Sequence, residues 1–308
     1  MSDRIIDLEL FQYSQLLKQP LMLSGHRLEQ RQGLLLKWTL DAQTLWSEVS
    51  PLPGYSGETM AQCVAQLQTW WHHRRGETLT ELWQQKGDHW YAAVNFGIKS
   101  AWLALYYPEV TKPDICPLLS YQDDLPVDDS RCIKLKVGLM DINADIGRIQ
   151  QLLDSGFHGR IRLDANQSWG LAEVEKVSQT IDTTRLQWFE EPLLYPDDYR
   201  YWSQYSNVPF AYDECLYQQQ TLPKVIPGLA ALIVKPTLLG LDRVTDLLEY
   251  GQKQQLSCVL SSCFEGPVAM AALYRLVHHF GLNESHGLDT LKYFQTVSEP
   301  HLELLPWK

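Results

Sequence analysis

The sequence predicts an α/β protein in which a parallel sheet of βα units, closed as a barrel, follows an α+β first part. Three observations carry this. After residue 130, six strand-like stretches recur, most of them followed by a segment of helical period, as in a parallel sheet with covering helices. An open doubly wound sheet would show a Gly-rich fingerprint after an early strand, and none is present. A charged residue stands near the C-terminal end of five successive strands, positions that a barrel gathers into a ring at its mouth.

Each element has a local reason. In the first part, GLLLKWTL (33–40) reads as a strand and SPLPGYSGET (50–59) as a Pro/Gly-rich loop. A helix follows, with Met60, Cys63, Val64, Leu67 and Trp70 or Trp71 at helical spacing. Residues 90–107 are apolar nearly all round, which predicts a buried helix, and a polar stretch over 108–130 closes this part. Strands are then expected at 132–138, 160–166, 185–192, 209–216, 230–237 and 256–263. The intervening helices run through Ile142, Ile146, Ile149 and Leu153, through Leu171, Val174, Val177 and Ile181, and through Leu241, Val244, Leu247 and Leu248. A short helical segment at 197–205 and a helix in PVAMAALYRLVHHF complete the series.

The totals limit the possible functions. The 308 residues suffice for one large α/β domain or two unequal ones, and 45% hydrophobic against 20% charged residues can fill a core. A net charge of -11 argues against a general nucleic-acid or anionic-membrane surface. No apolar run reaches the ~20 residues of a membrane span, and MSDRIIDLEL lacks the pattern of a secretory signal. Cys63, Cys116, Cys132, Cys215, Cys258 and Cys263 form no CxxC pair, which predicts reduced thiols in a cytoplasmic protein. His72–His73 and His278–His279 are adjacent pairs whose rings face different ways on a helix, so surface roles are expected rather than metal ligation.

The strand-end charges are Lys136, Asp164, Glu190, Asp213 and Lys235, spaced by 28, 26, 23 and 22 residues, about one βα unit each. Parity agrees: Lys134 and Lys136 alternate with Ile133, Leu135 and Val137, and Arg162 and Asp164 with Ile161, Leu163 and Ala165, so the polar set can face the interior. If the Lys136 strand is the second of eight, the Lys235 strand is the sixth, and the two lysines oppose each other with three carboxylates on the arc between. Carboxylates ~4 Å apart repel by roughly 4 kcal/mol per pair at an effective dielectric of 20, so they call for a divalent cation. All-oxygen ligands favour Mg²⁺ or Mn²⁺. Lys134 and Lys136 would stand about 6.6 Å apart. Their repulsion, with burial, is expected to lower one pKa by roughly one to two, enough to make Lys136 a base. Such a site suits removal of a hydrogen α to a carboxylate, whose enediolate product needs a metal and nearby cations.

KLKVGL, RLDAN, FEEP, AYDECL, IVKPT and LSSC, with SPLPGYSGET and HGLDTL outside the metal arc, resemble the enolase superfamily and, within it, the o-succinylbenzoate synthase family. The motifs run from about residue 50 to residue 291. The resemblance implies a (β/α)₇β TIM-like barrel over 101–291. It also implies an α+β capping domain over 1–100, helped by the tail from about 292 to 308. It implies Mg²⁺, with Mn²⁺ as a substitute, on Asp164, Glu190 and Asp213, with Glu191 on the other side of its strand. Lys136 would take the α-proton and return it to the departing hydroxyl, Lys235 would stabilise the enediolate, and Lys134 would tune Lys136. The implied reaction is syn dehydration of a small dicarboxylate, 2-succinyl-6-hydroxy-2,4-cyclohexadiene-1-carboxylate, to 2-succinylbenzoate, in menaquinone or phylloquinone biosynthesis. Arg162, Asn166, Ser261 and Ser262 would line the site or hold carboxylates, and Gly54, Gly287 and Thr290 would shape the substrate pocket. Cys263 departs from the small residue, often serine, expected there.

Two other readings remain open at this point. The same two lysines could racemise an N-acylamino acid or epimerise a dipeptide, although dipeptide epimerases typically carry Asp-x-Asp near the last strand and HGLDTL has Asp289 alone. A non-catalytic binding barrel would be expected to have lost the ring, and all five members stand.

Overall fold

The computed structural model describes residues 2–23, 25–72, 74, 76–86, 89–125, 130–219, 221–295 and 302–306. His73 of the first histidine pair, and residues 296–301 and 307–308 of the expected tail, lie outside them. The chain opens with three strands, β1 (Ile5–Leu23), β2 (His26–Leu40) and β3 (Thr44–Val49), then α1 (Met60–Trp71), α2 (Leu79–Gln84) and α3 (Ala92–Tyr106). Leu34, Leu36, Trp38 and Leu40 alternate on the buried face of β2, the period that a sheet covered on one side requires. Thr59 and Thr78 start α1 and α2 through reciprocal capping boxes with Gln62 and Glu81.

Helix α3 is buried almost throughout, as its apolar sequence predicts, because it packs on β3 as well as on the later helices. Gly97 allows that approach: a Cβ there would fall 2.2 Å from Val49 Cγ2.

The second part contains β4 (Leu118–Leu119), β5 (Cys132–Lys136), α4 (Ile142–Asp154), β6 (Arg160–Asp164), α5 (Leu171–Thr180) and β7 (Leu186–Glu190). A 3₁₀ segment (Pro196–Gln204) leads to β8 (Phe210–Tyr212), α6 (Glu214–Gln218), β9 (Leu229–Val234), α7 (Pro236–Leu239) and α8 (Leu241–Lys253). Then come β10 (Ser257–Leu260), α9 (Pro267–His279) and β11 (Leu302–Leu305). Strands β4 to β10 form one seven-stranded parallel sheet in sequence order. A separate antiparallel sheet has the order β11-β1-β2-β3. Parallel bridges tie Gly287 to Ser261, just beyond β10, and His286 to Ile115, just before β4.

Register sets the polar faces. Lys134 lies beside Arg162, and Lys136 beside Asp164, which in turn lies beside Glu190. Ile133, Leu135, Val137, Ile161 and Leu163 join the core formed with the helices, whereas Trp188, Ala211, Ala231, Ile233 and Val259 make a separate small cluster. The expected strand at 209–216 is cut to three residues, because Asp213 ends it and a helix begins at Glu214. Among the described residues no helix is long and apolar enough to cross a membrane.

Two buried side chains of the first part cap helices of the second. Glu48 accepts from Gly266 N (2.7 Å) and Ala269 N (2.9 Å) at the start of α9, and Asn95 Oδ1 accepts from Leu241 N (2.7 Å) at the start of α8.

Candidate active site

Five neighbouring strands end in charge. β5 delivers Lys134 and Lys136, β6 delivers Asp164, β7 delivers Glu190, and Asp213 and Lys235 directly follow β8 and β9. Lys134 Nζ lies 3.0 Å from Asp164 Oδ2 and 2.9 Å from Glu190 Oε1, and Lys136 Nζ lies 3.3 Å from Asp164 Oδ1. Lys235 Nζ donates to Asp213 Oδ2 at 2.5 Å and lies 5.8 Å from the centre of the Tyr217 ring.

The fields in this ring are strong because its carboxylates are buried. Burial lifts the Asp164 carboxyl, but the Lys134, Lys136 and Lys235 ammoniums more than reverse that and hold it below the usual carboxylate range. Burial pushes Asp213 up to about 6 against the pull of Lys235, and raises Glu190 against the pull of Lys134. Burial works to lower the pKa of Lys134, but Asp164 and Glu190 outweigh it and hold the ammonium above its ordinary value. The carboxylates that clasp Lys134, not repulsion from Lys136, govern it.

The donor set fits a hard divalent cation. Asp213 Oδ1 and Glu214 Oε2 are buried and accept no hydrogen bond among the described residues, and Asp164 Oδ1 is met by the Lys136 ammonium at 3.3 Å without a hydrogen bond, so three acidic side chains keep lone pairs to offer. As they stand, no three acidic, imidazole or thiol groups among the described residues gather round one point, because lysine ammoniums lie between the carboxylates.

A second row holds the ring in place. Glu191, fully buried just past β7, accepts from Asp213 N (2.7 Å), Cys215 N (3.2 Å) and the Tyr199 hydroxyl (3.1 Å). It takes a left-handed backbone (φ 37°) to face that way, which puts it off the side used by Glu190. Asn166, also left-handed (φ 42°), donates to Glu214 Oε1 at 2.9 Å.

The other expected residues divide. Ser262 Oγ lies 2.9 Å from Thr290 Oγ1 and 3.1 Å from Gly287 O, and Gly287 packs against Ser261 so closely that a Cβ would stand 2.9 Å from its Oγ. These four form one cluster. Gly54 turns the 50–59 loop with φ 84°. Its neighbour Tyr55 is half-buried, and its phenol, raised mainly by burial, feels Lys235, Glu214, Asp213 and Asp164.

Arg162 donates to Gln187 Oε1 (2.8 Å), Ser285 O (2.6 Å) and Glu284 Oε2 (3.2 Å) and stacks 4.2 Å over Trp188, contacts that brace it within the sheet interior. All six cysteines are free and buried. His279 is half-buried, packed edge-on against Trp83, Trp102 and Tyr107, and its Nδ1 lies 2.7 Å from the Tyr107 hydroxyl.

Sequence reasoning missed Glu214, Tyr55 and Tyr217. Glu214 and Tyr55 were within reach, since one follows Asp213 directly and the other sits inside the flagged loop. Tyr217 lacked any signal, because its place beside Lys235 depends on α6 turning back.

Comparison with known proteins agrees with this geometry. Residues 5–105 match the family described as MenC, N-terminal domain, and residues 126–301 match the family described as enolase C-terminal domain-like. A relative from Enterobacter sp. (strain 638), named o-succinylbenzoate synthase, is 29% identical over 89% of this chain and 88% of its own length. A Vibrio cholerae relative of the same name is 29% identical over 97% of this chain and 92% of its own. Among solved structures, o-succinylbenzoate synthase from Thermosynechococcus elongatus BP-1, complexed with Mg, has a TM-score of 0.74 at 23% identity, covering 94% of this chain and 95% of that one. The dipeptide epimerase from Enterococcus faecalis V583, complexed with Mg and a dipeptide, has a TM-score of 0.76 at 16% identity over 96% and 93%. At those identities the two structures speak for the fold alone. A family match that spans residues 126–301, more than half of the sequence, joined to this ring of lysines and carboxylates, makes the chain a member of the enolase superfamily.

Proposed function

We infer that the protein is an o-succinylbenzoate synthase, a hydro-lyase that dehydrates 2-succinyl-6-hydroxy-2,4-cyclohexadiene-1-carboxylate to 2-succinylbenzoate in the cytoplasm. The observation that carries this is the alignment of relatives with that name along nearly the whole chain, the MenC-type N-terminal part included. The lysine–carboxylate ring supplies the matching chemistry. We read residues 1–100, with the tail from about 292, as a cap over a (β/α)₇β barrel at 101–291. Bridges from residues 286 and 287 to both outer strands of the parallel sheet support closure through an eighth strand position.

Asp164, Glu190 and Asp213 are the side chains that would hold Mg²⁺, or Mn²⁺ in its place, and Glu191 fixes Asp213 through its backbone N–H. When bound, the metal supplies a positive field for the substrate carboxylate oxygens, where charge builds as the α-carbon loses its proton. Lys136, at the end of β5, takes that proton and gives it to the hydroxyl leaving from the same face. Lys235, across the ring, remains an ammonium, because burial is outweighed by Asp213 and Glu214, and its charge faces the developing enediolate. Lys134 sets the field at Asp164 and Glu190. Ser261, Ser262, Gly287 and Thr290 shape the pocket beside Lys235, and Gly54 and Tyr55 close it from above. Aromatisation drives the elimination forward.

A dipeptide epimerase would need a carboxylate free to hold the substrate amine near the last strand. Asp289 is committed: its Oδ2 lies 2.6 Å from Lys292 Nζ and 3.4 Å from Leu118 N. The deciding experiment follows ultraviolet loss of the diene with purified protein and Mg²⁺, with and without EDTA. Fast, chelator-sensitive dehydration is expected. No turnover by folded protein would reject the synthase reading and direct attention to α-hydrogen exchange in N-succinylamino acids and dipeptides in deuterated water.

A further inference from the structure

Arg31 is a buried cation on β2, 2% exposed, and it spends its guanidinium on backbone carbonyls rather than on a carboxylate. Nη2 donates to Ser50 O at 2.9 Å, Nη1 to Pro51 O at 3.0 Å and Nε to Phe264 O at 3.0 Å. The first two carbonyls begin the 50–59 loop, whose Tyr55 feels the charges of Lys235, Glu214, Asp213 and Asp164. The third belongs to the turn that follows Ser261, Ser262 and Cys263. One planar fork therefore joins two segments that are more than 200 residues apart in sequence, and Tyr55 in one and Cys263 in the other both feel Lys235 and Asp213.

The turn it grips is strained. Phe264 has φ 58°, the left-handed region that a bulky side chain avoids, so its conformation must be held from outside. The surrounding contacts hold the same two segments. Glu48, two residues before Ser50, accepts from Gly266 N and Ala269 N, and Tyr13 donates to Glu48 at 2.5 Å. Glu265 accepts from Cys263 N at 2.5 Å and from the Thr237 hydroxyl at 2.5 Å, and Thr237 stands two residues beyond Lys235.

We propose that Arg31 is a positioning residue for substrate binding: its guanidinium locks the 50–59 loop and the Ser261–Phe264 turn into one unit, so that both walls of the pocket are set together. Arg31 touches neither the lysines nor the carboxylates of the ring, so its effect falls on binding more than on chemistry. A lysine cannot replace it, because one ammonium lacks the fork needed to reach both segments at once. This role rests on the synthase reading for its kinetic readout, but not for its structural one.

The test compares wild type with Arg31→Met and Arg31→Lys in two measurements. Hydrogen exchange of the peptides covering 50–57 and 261–266 needs no substrate. Both should exchange at least tenfold faster in Arg31→Met, and at least one should in Arg31→Lys. Steady-state dehydration of the cyclohexadiene substrate should show KM raised tenfold or more in Arg31→Met, with kcat within about threefold of wild type. Arg31→Lys, which keeps the stem and the charge, decides the matter if Arg31→Met does not fold. Unchanged exchange in both segments of the folded variant would overturn the proposal. So would a lowered melting temperature with an unchanged KM, which marks a merely structural anchor. If wild type itself fails to turn over the substrate, the synthase reading falls, while the exchange data still decide whether Arg31 couples the two segments.

Discussion

Acidification from pH 8 to pH 5 should weaken the fold through one imidazole. His286 is fully buried, and its Nδ1 accepts from Leu260 N at 3.0 Å. A proton on Nδ1 would cost that hydrogen bond and leave a charge in a dry place. Burial, aided by the Arg162 guanidinium, pushes the pKa down to about 4, while a hydrogen bond with the Leu282 backbone, and then Glu284 and Asp114, pull the other way. The free value is about 6.5. Between these two values the unfolded chain binds more protons than the folded one, so stability rises with pH across that window. It is fully present above pH 6.5 and is lost as the pH falls towards 4. At pH 5 the loss relative to pH 8 comes to about 2 kcal/mol. Asp213, pushed up to about 6, works in the opposite sense over part of the same range. Comparison with His286→Asn cancels that contribution, since both proteins keep Asp213. Urea unfolding at pH 8 and pH 5 should show wild type losing about 2 kcal/mol more than the variant. Equal losses would refute the reasoning.

Other perturbations have equally definite outcomes. Lys136→Ala should lower kcat by a factor of ~10² to 10⁴ while circular dichroism and Mg²⁺ affinity stay near wild type; activity within tenfold of wild type would remove Lys136 as the acid/base. Glu191→Gln weakens the acceptor that fixes Asp213 N at 2.7 Å, and the Mg²⁺ concentration for half-maximal activity should rise roughly 10- to 100-fold. An unchanged Mg²⁺ requirement would limit Glu191 to a packing role. Gly97→Ala forces a methyl group to 2.2 Å from Val49 Cγ2 and 2.8 Å from Glu48 O, which should destabilise the protein by about 1–3 kcal/mol in urea unfolding.

What the sequence disclosed follows from what is local. The spacing of Lys134 and Lys136, and of Arg162 and Asp164, fixes which side chains share a face, and the register of β5 with β6 places them as that spacing requires. Helix α1 and the buried α3 were legible because their apolar patterns are long. Strand β1 was not, since Gln12, Ser14, Gln15, Lys18, Gln19 and Pro20 break its alternation and its pairing with β2 slips between Leu16 and Leu21. Strand β4 has two residues in a polar stretch and exists only because β5 pairs with it. Arg162 shares a face with Asp164, and only the fold reveals that Gln187, Glu284 and Ser285 accept from it. Contacts such as Arg31 with Phe264 leave no local pattern at all.

Strand β11 has a consequence for how the structure opens. Leu302–Leu305 pair with Tyr13–Leu10, nearly 300 positions away along the chain. Formed in isolation, that closure would be expensive, but Phe294 already bridges Leu17 and Gln295 N already donates to Leu16 O. The separation in sequence from Gln295 to Leu302 is so small that joining them costs roughly 3 kcal/mol less than closing the full span. β11 is therefore a zipper tooth set by its neighbour: it can peel away from Leu10–Tyr13 and return while residues 294 and 295 keep its end in place. The edge of β1 is then exposed in brief local openings, long before the sheet as a whole gives way.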